Sequence, residues 1–189
     1  MDCVKCKSKS CREVTPCKAS KFDVEEVRDE YHKKENQQIV KSASILVDNG
    51  RAGTLSRLQE ILEFSKLMGY CKIGIAYCYG MEYETQEIVK IIRANTIKVV
   101  PVSCTTGGMP QNMINSSSNI KKVSCNPIAQ AAQLNNDRVD LTLTIGLCLG
   151  HDILFNKYIA SDVTTLVVKD RVFNHDPLQA IKTNKKNIL

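Results

Sequence analysis

Residues 72–80 read KIGIAYCYG. A short apolar run with no charge after Lys72, closed by Gly80, predicts a strand buried on both faces. A helical stretch follows from Glu82 to Asn95, with Ile88, Ile91, Ile92 and Asn95 at turn spacing. IKVVPVSC (97–104) reads as a second strand; its Pro101 predicts an edge position or a bulge, because proline cannot donate to a ladder. DLTLTIGLC (140–148) and VTTLVVKD (163–170) supply a third and a fourth. Between the second and third strands lie a loop, TTGGMPQNMINSSSN (105–119), and a helix running through Asn135. Asn126 caps that helix and Pro127 occupies its first position. A short helix is expected over 152–157. Strands alternating with helices predict an α/β domain, a Rossmann-like, mostly parallel sheet flanked by helices and joined by right-handed crossovers.

Upstream, residues 23–48 read as helix, with Val24, Val27 and Tyr31 on one face and Val40, Ala43 and Val47 after the polar KKENQQ. The pattern fits either one continuous helix or two helices with a break near Glu35. Asn49, Gly50 and Gly53 mark a loop, and Thr54 is placed to cap a helix carrying Leu55, Leu58, Ile61, Leu62 and Leu67 up to Gly69. The organisation expected is therefore a cysteine-rich metal knuckle over 1–22, a helical segment over 23–69 packing on the sheet domain, the α/β domain over 70–182, and a tail over 183–189.

The chain has 189 residues, 43% hydrophobic and 24% charged, which excludes a disordered or collagen-like protein. No apolar run approaches the roughly 18 residues of a membrane span, and the polar, basic start has no signal-peptide core. A net charge of +6 does not mark a nucleic-acid partner. Nine cysteines without a secretory signal point to a cytoplasmic protein whose thiols serve metal or redox chemistry.

Four of them, Cys3, Cys6, Cys11 and Cys17, crowd into the first 17 residues. A Cys-x₂-Cys pair grips one ion with two sulfurs and a later pair completes a tetrahedron, for zinc or for an iron–sulfur cluster. Lys5, Lys7, Lys9, Arg12, Lys18 and Lys21 against Asp2 and Glu13 would offset the charge of four thiolates. Cys78, Cys104 and Cys148 each close a strand, and Cys125 immediately precedes the Asn126 cap. In an open parallel sheet all four positions lie at the edge where ligands bind, and helix N-termini there favour thiolates. Cys71 starts a strand, at the opposite edge. His151, Lys169, Arg171 and His175 belong to the ligand-binding edge as well. The histidines are candidate ligands or proton carriers, and the two cations are candidate holders of a small anionic ligand. Gly107-Gly108 lacks a Walker lysine, so nucleotide binding is not expected.

RLQEILEFSKLMGYCKIGIAYCYGM, CNPIAQAAQLN, GLCLGHDILFNK and TTLVVKDRVFNHDP, with the cysteine-rich start, resemble the uncharacterised metal-binding proteins catalogued as domain of unknown function 1847. The resemblance implies a bacterial or archaeal metal-binding protein, often expected to hold iron–sulfur, and carries no defined reaction. Cys78, Cys104, Cys125 and Cys148 fall in the matching motifs. Thr105 and Lys18 depart from the lysine and proline expected at those positions. Three functions are in view. The first is a metalloprotein with two thiolate sites and a role in redox or sulfur chemistry. The second is an enzyme with Cys148 or Cys125 as nucleophile and His151 or His175 as base. The third is a non-enzymatic module that delivers metal or docks on a redox protein partner.

Overall fold

The elements run α1 (Val24–His32), α2 (Lys34–Val47), α3 (Arg57–Met68), β1 (Lys72–Tyr77), α4 (Glu82–Ala94), β2 (Lys98–Ser103), α5 (Gln111–Ile114), α6 (Pro127–Asn136), β3 (Leu141–Ile145), α7 (Leu149–Tyr158), β4 (Asp162–Val167) and α8 (Leu178–Thr183). They come from a computed structural model that describes residues 1–17 and 20–183. Lys18 and the expected tail from 184 onward lie outside the described residues. The chain divides into two units, Met1–Ile45 and Leu46–Leu189.

In the first unit the expected long helix is interrupted at Lys33, whose backbone is extended (φ −60°, ψ 140°), two residues before the expected break. Asp23 caps α1 by accepting from the Glu25 N–H. Ahead of it, residues 1–17 contain a single 3₁₀ turn, Ser10–Glu13, between Lys9 and Val14, which are both left-handed. Cys3 and Cys11 are exposed, and Cys6 and Cys17 half-buried.

The second unit holds a four-stranded sheet in the order β2-β1-β3-β4, with every pair parallel. β2 is an edge strand, as Pro101 predicts. Side chains alternate across β1 and β3. Ile73, Ile75, Leu141, Leu143 and Ile145 share a core with Ile61 and Leu62 of α3 and Val89 and Ile92 of α4. Ala76 faces the other way, packed with Ala131 and Leu134 of α6 and Phe155 of α7. The connection from β1 to β2 moves one way along the sheet and the later ones move the other way. One crossover hand therefore puts α4 and the pair α6 and α7 on opposite faces. On the α6 face β1 must be small: a Cβ on Gly74 would lie 2.9 Å from Leu134 Cδ2 and 3.0 Å from Val139 Cγ2.

Two helix starts differ from those expected. Ser56, not Thr54, caps α3, in a capping box with Gln59; Thr54 instead donates to the Arg51 carbonyl. Gly69 ends α3 in the left-handed conformation, φ +73°. α7 begins at Leu149 rather than Asp152. No described helix is long and apolar enough to cross a membrane.

Candidate functional site

The strand order reverses between β1 and β3, so their carboxyl ends open the crevice in which doubly wound sheets bind ligands. Register places the cysteines there. Tyr77 pairs with Ser103 and with Ile145. Cys78 and Cys104, one residue further on, are therefore neighbours, and Cys148 follows β3 by way of Gly146 and Leu147. The ladder continues into this region: the N–H groups of Cys78, Cys104 and Gly146 donate to Ile145, Tyr77 and Val167 carbonyls at 3.0, 2.9 and 2.8 Å.

Cys125 arrives by a long return. The chain leaves the sheet at Cys104 and comes back at Asn126, whose N–H donates to the Cys104 carbonyl at 2.6 Å. Asn126 Oδ1 accepts from the Ala129 N–H at 3.1 Å and caps α6, as its sequence position predicts. This neck sets Cys125 Sγ 3.4 Å from Cys104 Sγ. The Tyr79 N–H also reaches Cys104 Sγ, at 3.4 Å. Cys104 is 2% exposed, whereas Cys125 is half-buried. Burial first, with the neighbouring Cys125 and Cys78 adding to it, pushes the Cys104 thiol up to about 12.

Cys148 is the N-cap residue of α7. Arg171 Nη2 donates to its Sγ at 3.1 Å, and the same guanidinium interacts electrostatically with Cys78 and Cys125. The loop that presents Arg171 is tied by Asp170, whose Oδ1 accepts from the Val172 and Phe173 N–H groups at 2.9 Å each. Within that loop His175 adopts φ +65°, and its Nδ1 lies 3.2 Å from the Asp170 nitrogen and 3.1 Å from the Val168 carbonyl oxygen. One ring nitrogen of His175 is thus taken up by its own loop. Gly146 permits the close approach at the end of β3: it sits at φ +59°, and a Cβ there would lie 2.7 Å from Met81 Cγ and 3.8 Å from Lys169 Nζ. Lys169 also lines a small cavity with Thr144, Asp152 and Thr165. His151 sits in the first turn of α7, half-buried, and burial holds its pKa below the ordinary value.

The structure therefore brings Cys78, Cys104, Cys125, Cys148 and Arg171 to one edge, with Lys169 beside the end of β3. Neither these four cysteines nor the N-terminal four are drawn together as a ready-made set of metal ligands. Among the described residues no group of three or more His, Cys, Asp or Glu side chains stands in metal-ligating geometry. Cys71 is exposed, and its N–H donates to Asp140 Oδ2 at 2.8 Å at the amino edge of the sheet.

Gln130 was not read from the sequence. It is fully buried in α6, and its Nε2 donates to the Tyr77 carbonyl at 3.1 Å and the Val102 carbonyl at 2.8 Å. It ties the helix that follows Cys125 to the strand ends that lead into Cys78 and Cys104. Its Oε1 has no hydrogen-bond partner. The available signal was a long amide among small apolar residues in IAQAAQL (128–134).

The family described as protein of unknown function (DUF1847) matches residues 15–166. That description names no metal, substrate or reaction. An uncharacterised protein of Methanocaldococcus jannaschii is 40% identical over 188 residues, covering 97% of this chain and 94% of the relative. No solved structure matches the chain.

Proposed function

The chain belongs to the family described as protein of unknown function (DUF1847), and from its site we propose that it is a thiolate metalloprotein. In this reading Cys78, Cys104, Cys125 and Cys148 hold an iron–sulfur cluster or a zinc ion at the sheet edge. The observation that supports it is the 3.4 Å approach of the Cys104 and Cys125 sulfurs, at the sheet edge where Cys78 and Cys148 also lie. Two sulfurs bound at about 2.3 Å to one tetrahedral ion lie about 3.8 Å apart, so the pair is spaced for a shared ion. A backbone N–H on Cys104 and a guanidinium on Cys148 are donors of the kind that tune a bound cluster. Cys3, Cys6, Cys11 and Cys17 make a second centre, supported by their crowding and by the basic residues around them. A cytoplasmic setting, an anionic ligand held by Lys169, a redox protein partner and a role in redox or sulfur chemistry belong to the same reading.

Anaerobically purified protein should carry metal. A brown colour with iron and acid-labile sulfide identifies a cluster, and a colourless protein with zinc identifies the ion. Cys104→Ser with Cys125→Ser should remove one centre, and Cys6→Ser with Cys17→Ser the other. Metal content equal to the unsubstituted chain in either variant overturns the assignment of that centre.

The Arg171 contact favours a second reading, in which Cys148 is a nucleophile. Its sulfur meets a cation and a helix N-terminus, and both favour negative charge there. Rapid iodoacetamide labelling of Cys148 in fully metallated protein supports this alternative. Labelling only after chelation supports the metal site.

A further inference from the structure

We propose that Cys104 and Cys125 are a thiol–disulfide exchange pair whose co-reactants are small disulfides of the glutathione type. This concerns the reduced, metal-free chain and does not depend on the metal reading. The sulfurs need to close from 3.4 Å to about 2.05 Å. Little backbone movement is demanded, because the chain is already closed at that point. Asn126 N–H bonds the Cys104 carbonyl at 2.6 Å, and Ser124 N–H bonds the Met109 carbonyl at 2.9 Å. The loop-closure cost that a disulfide across residues 104–125 would impose on a free chain has been met by these bonds.

The two sulfurs also differ in access. Cys125 is half-buried and can meet a small molecule, while Cys104 at 2% exposure cannot. This assigns an order to the chemistry. Cys125, its proton given to water, attacks one sulfur of the small disulfide. That S–S bond breaks, one small thiolate leaves and takes a proton, and Cys125 is left in a mixed disulfide. Cys104 then attacks the Cys125 sulfur. The second small thiol departs with the Cys104 proton, and a Cys104–Cys125 bond remains. Two electrons pass from the protein to the small disulfide, and no other oxidant is required. Run backwards, the oxidised pair consumes two small thiols. The other edge cysteines suit this less well: Cys78 is buried and Cys148 is engaged by Arg171.

The test uses the full chain, reduced and treated with chelator, then exposed to oxidised glutathione, quenched in acid, alkylated and digested. Trypsin cuts after Lys98, Lys121, Lys122 and Arg138, which places the two cysteines in separate pieces, 99–121 and 123–138. The expected result is loss of alkylation from both pieces together and their recovery as one linked species, restored to separate pieces by reductant. In Cys104→Ser, piece 123–138 should persist as a glutathione adduct. Linkage of Cys125 to another cysteine, or two pieces that stay fully alkylatable, overturns the proposal in the unsubstituted chain, whether or not the variant folds. Metal content is read separately on untreated protein. A chain without metal that yields the linked species defeats only the metal reading, and a metal-bearing chain that does not yield it defeats only this one.

Discussion

His151 lies three residues beyond Cys148, and burial holds its pKa below the ordinary 6.5. The unfolded chain therefore takes up this proton at a higher pH than the folded one. The stability associated with the neutral ring is complete above 6.5 and is lost as pH falls through that value toward the folded pKa. The urea midpoint should drop more steeply between about pH 7 and about pH 5 for the natural chain than for His151→Gln. Parallel curves would show that the ring does not contribute. The two site histidines look alike in sequence, each beside an aspartate, yet His175 is turned into its own loop by a left-handed backbone. Asn and His are among the non-glycine residues most often found at positive φ, so Asn174-His175 hints at a left-handed turn, but the hydrogen bonds of the surrounding loop decide where the ring then points. Arg171 is a residue type suited to holding anions, and in the structure its side-chain partner is Cys148. The same cation serves either role, so residue type alone leaves the partner open.

At the level of elements, the contact between β1 and α6 turns on Gly74. Replacing it with alanine puts a methyl group 2.9 Å from Leu134 Cδ2 and 3.2 Å from Thr142 Oγ1, so these side chains must shift within a packed core. Gly74→Ala should cost about 1–3 kcal/mol in chemical unfolding, as overpacked cores do. A stability equal to the natural chain would mean that α6 can retreat freely. The strands were legible because apolar runs such as KIGIAY and LTLTI, bounded by glycine and charge, have few other uses. Helix starts were harder. Ser56 and Gln59 spell a capping box, but Thr54 stood nearer the glycine-rich loop and drew the boundary. α7 starts three residues earlier than expected, with Gly150, a poor helix former, inside its first turn. α8, a run of six residues that follows Pro177, is too short to carry a periodicity from which to read it.

For the whole molecule, the strand order sets a gradient of protection. β1 and β3 are central and buried almost throughout, while β2 and β4 have one neighbour each and exposed positions. Amide hydrogen exchange should be slowest in 73–76 and 141–145, and should run faster in 98–103 and 162–167. Uniform exchange across the four strands would argue that the sheet opens only as a unit. Cys78 and Cys104 are neighbours because each directly follows one of two paired parallel strands, whereas Cys148, expected to close the third strand, lies three residues past Ile145 as the N-cap of α7. The arrival of Cys125 was legible only as far as its helix cap. The 2.6 Å backbone bond that brings it to Cys104 depends on how residues 105–124 fold among themselves, and that polar stretch has no hydrophobic pattern to disclose it.

That stretch departs from the sheet and returns within one hydrogen bond of its exit, so its length is uncoupled from the rest of the chain. It offers a graft point. Foreign sequence, an affinity handle for example, spliced between Ser116 and Ser117, both exposed, would hang from the tip of this excursion without disturbing strand order.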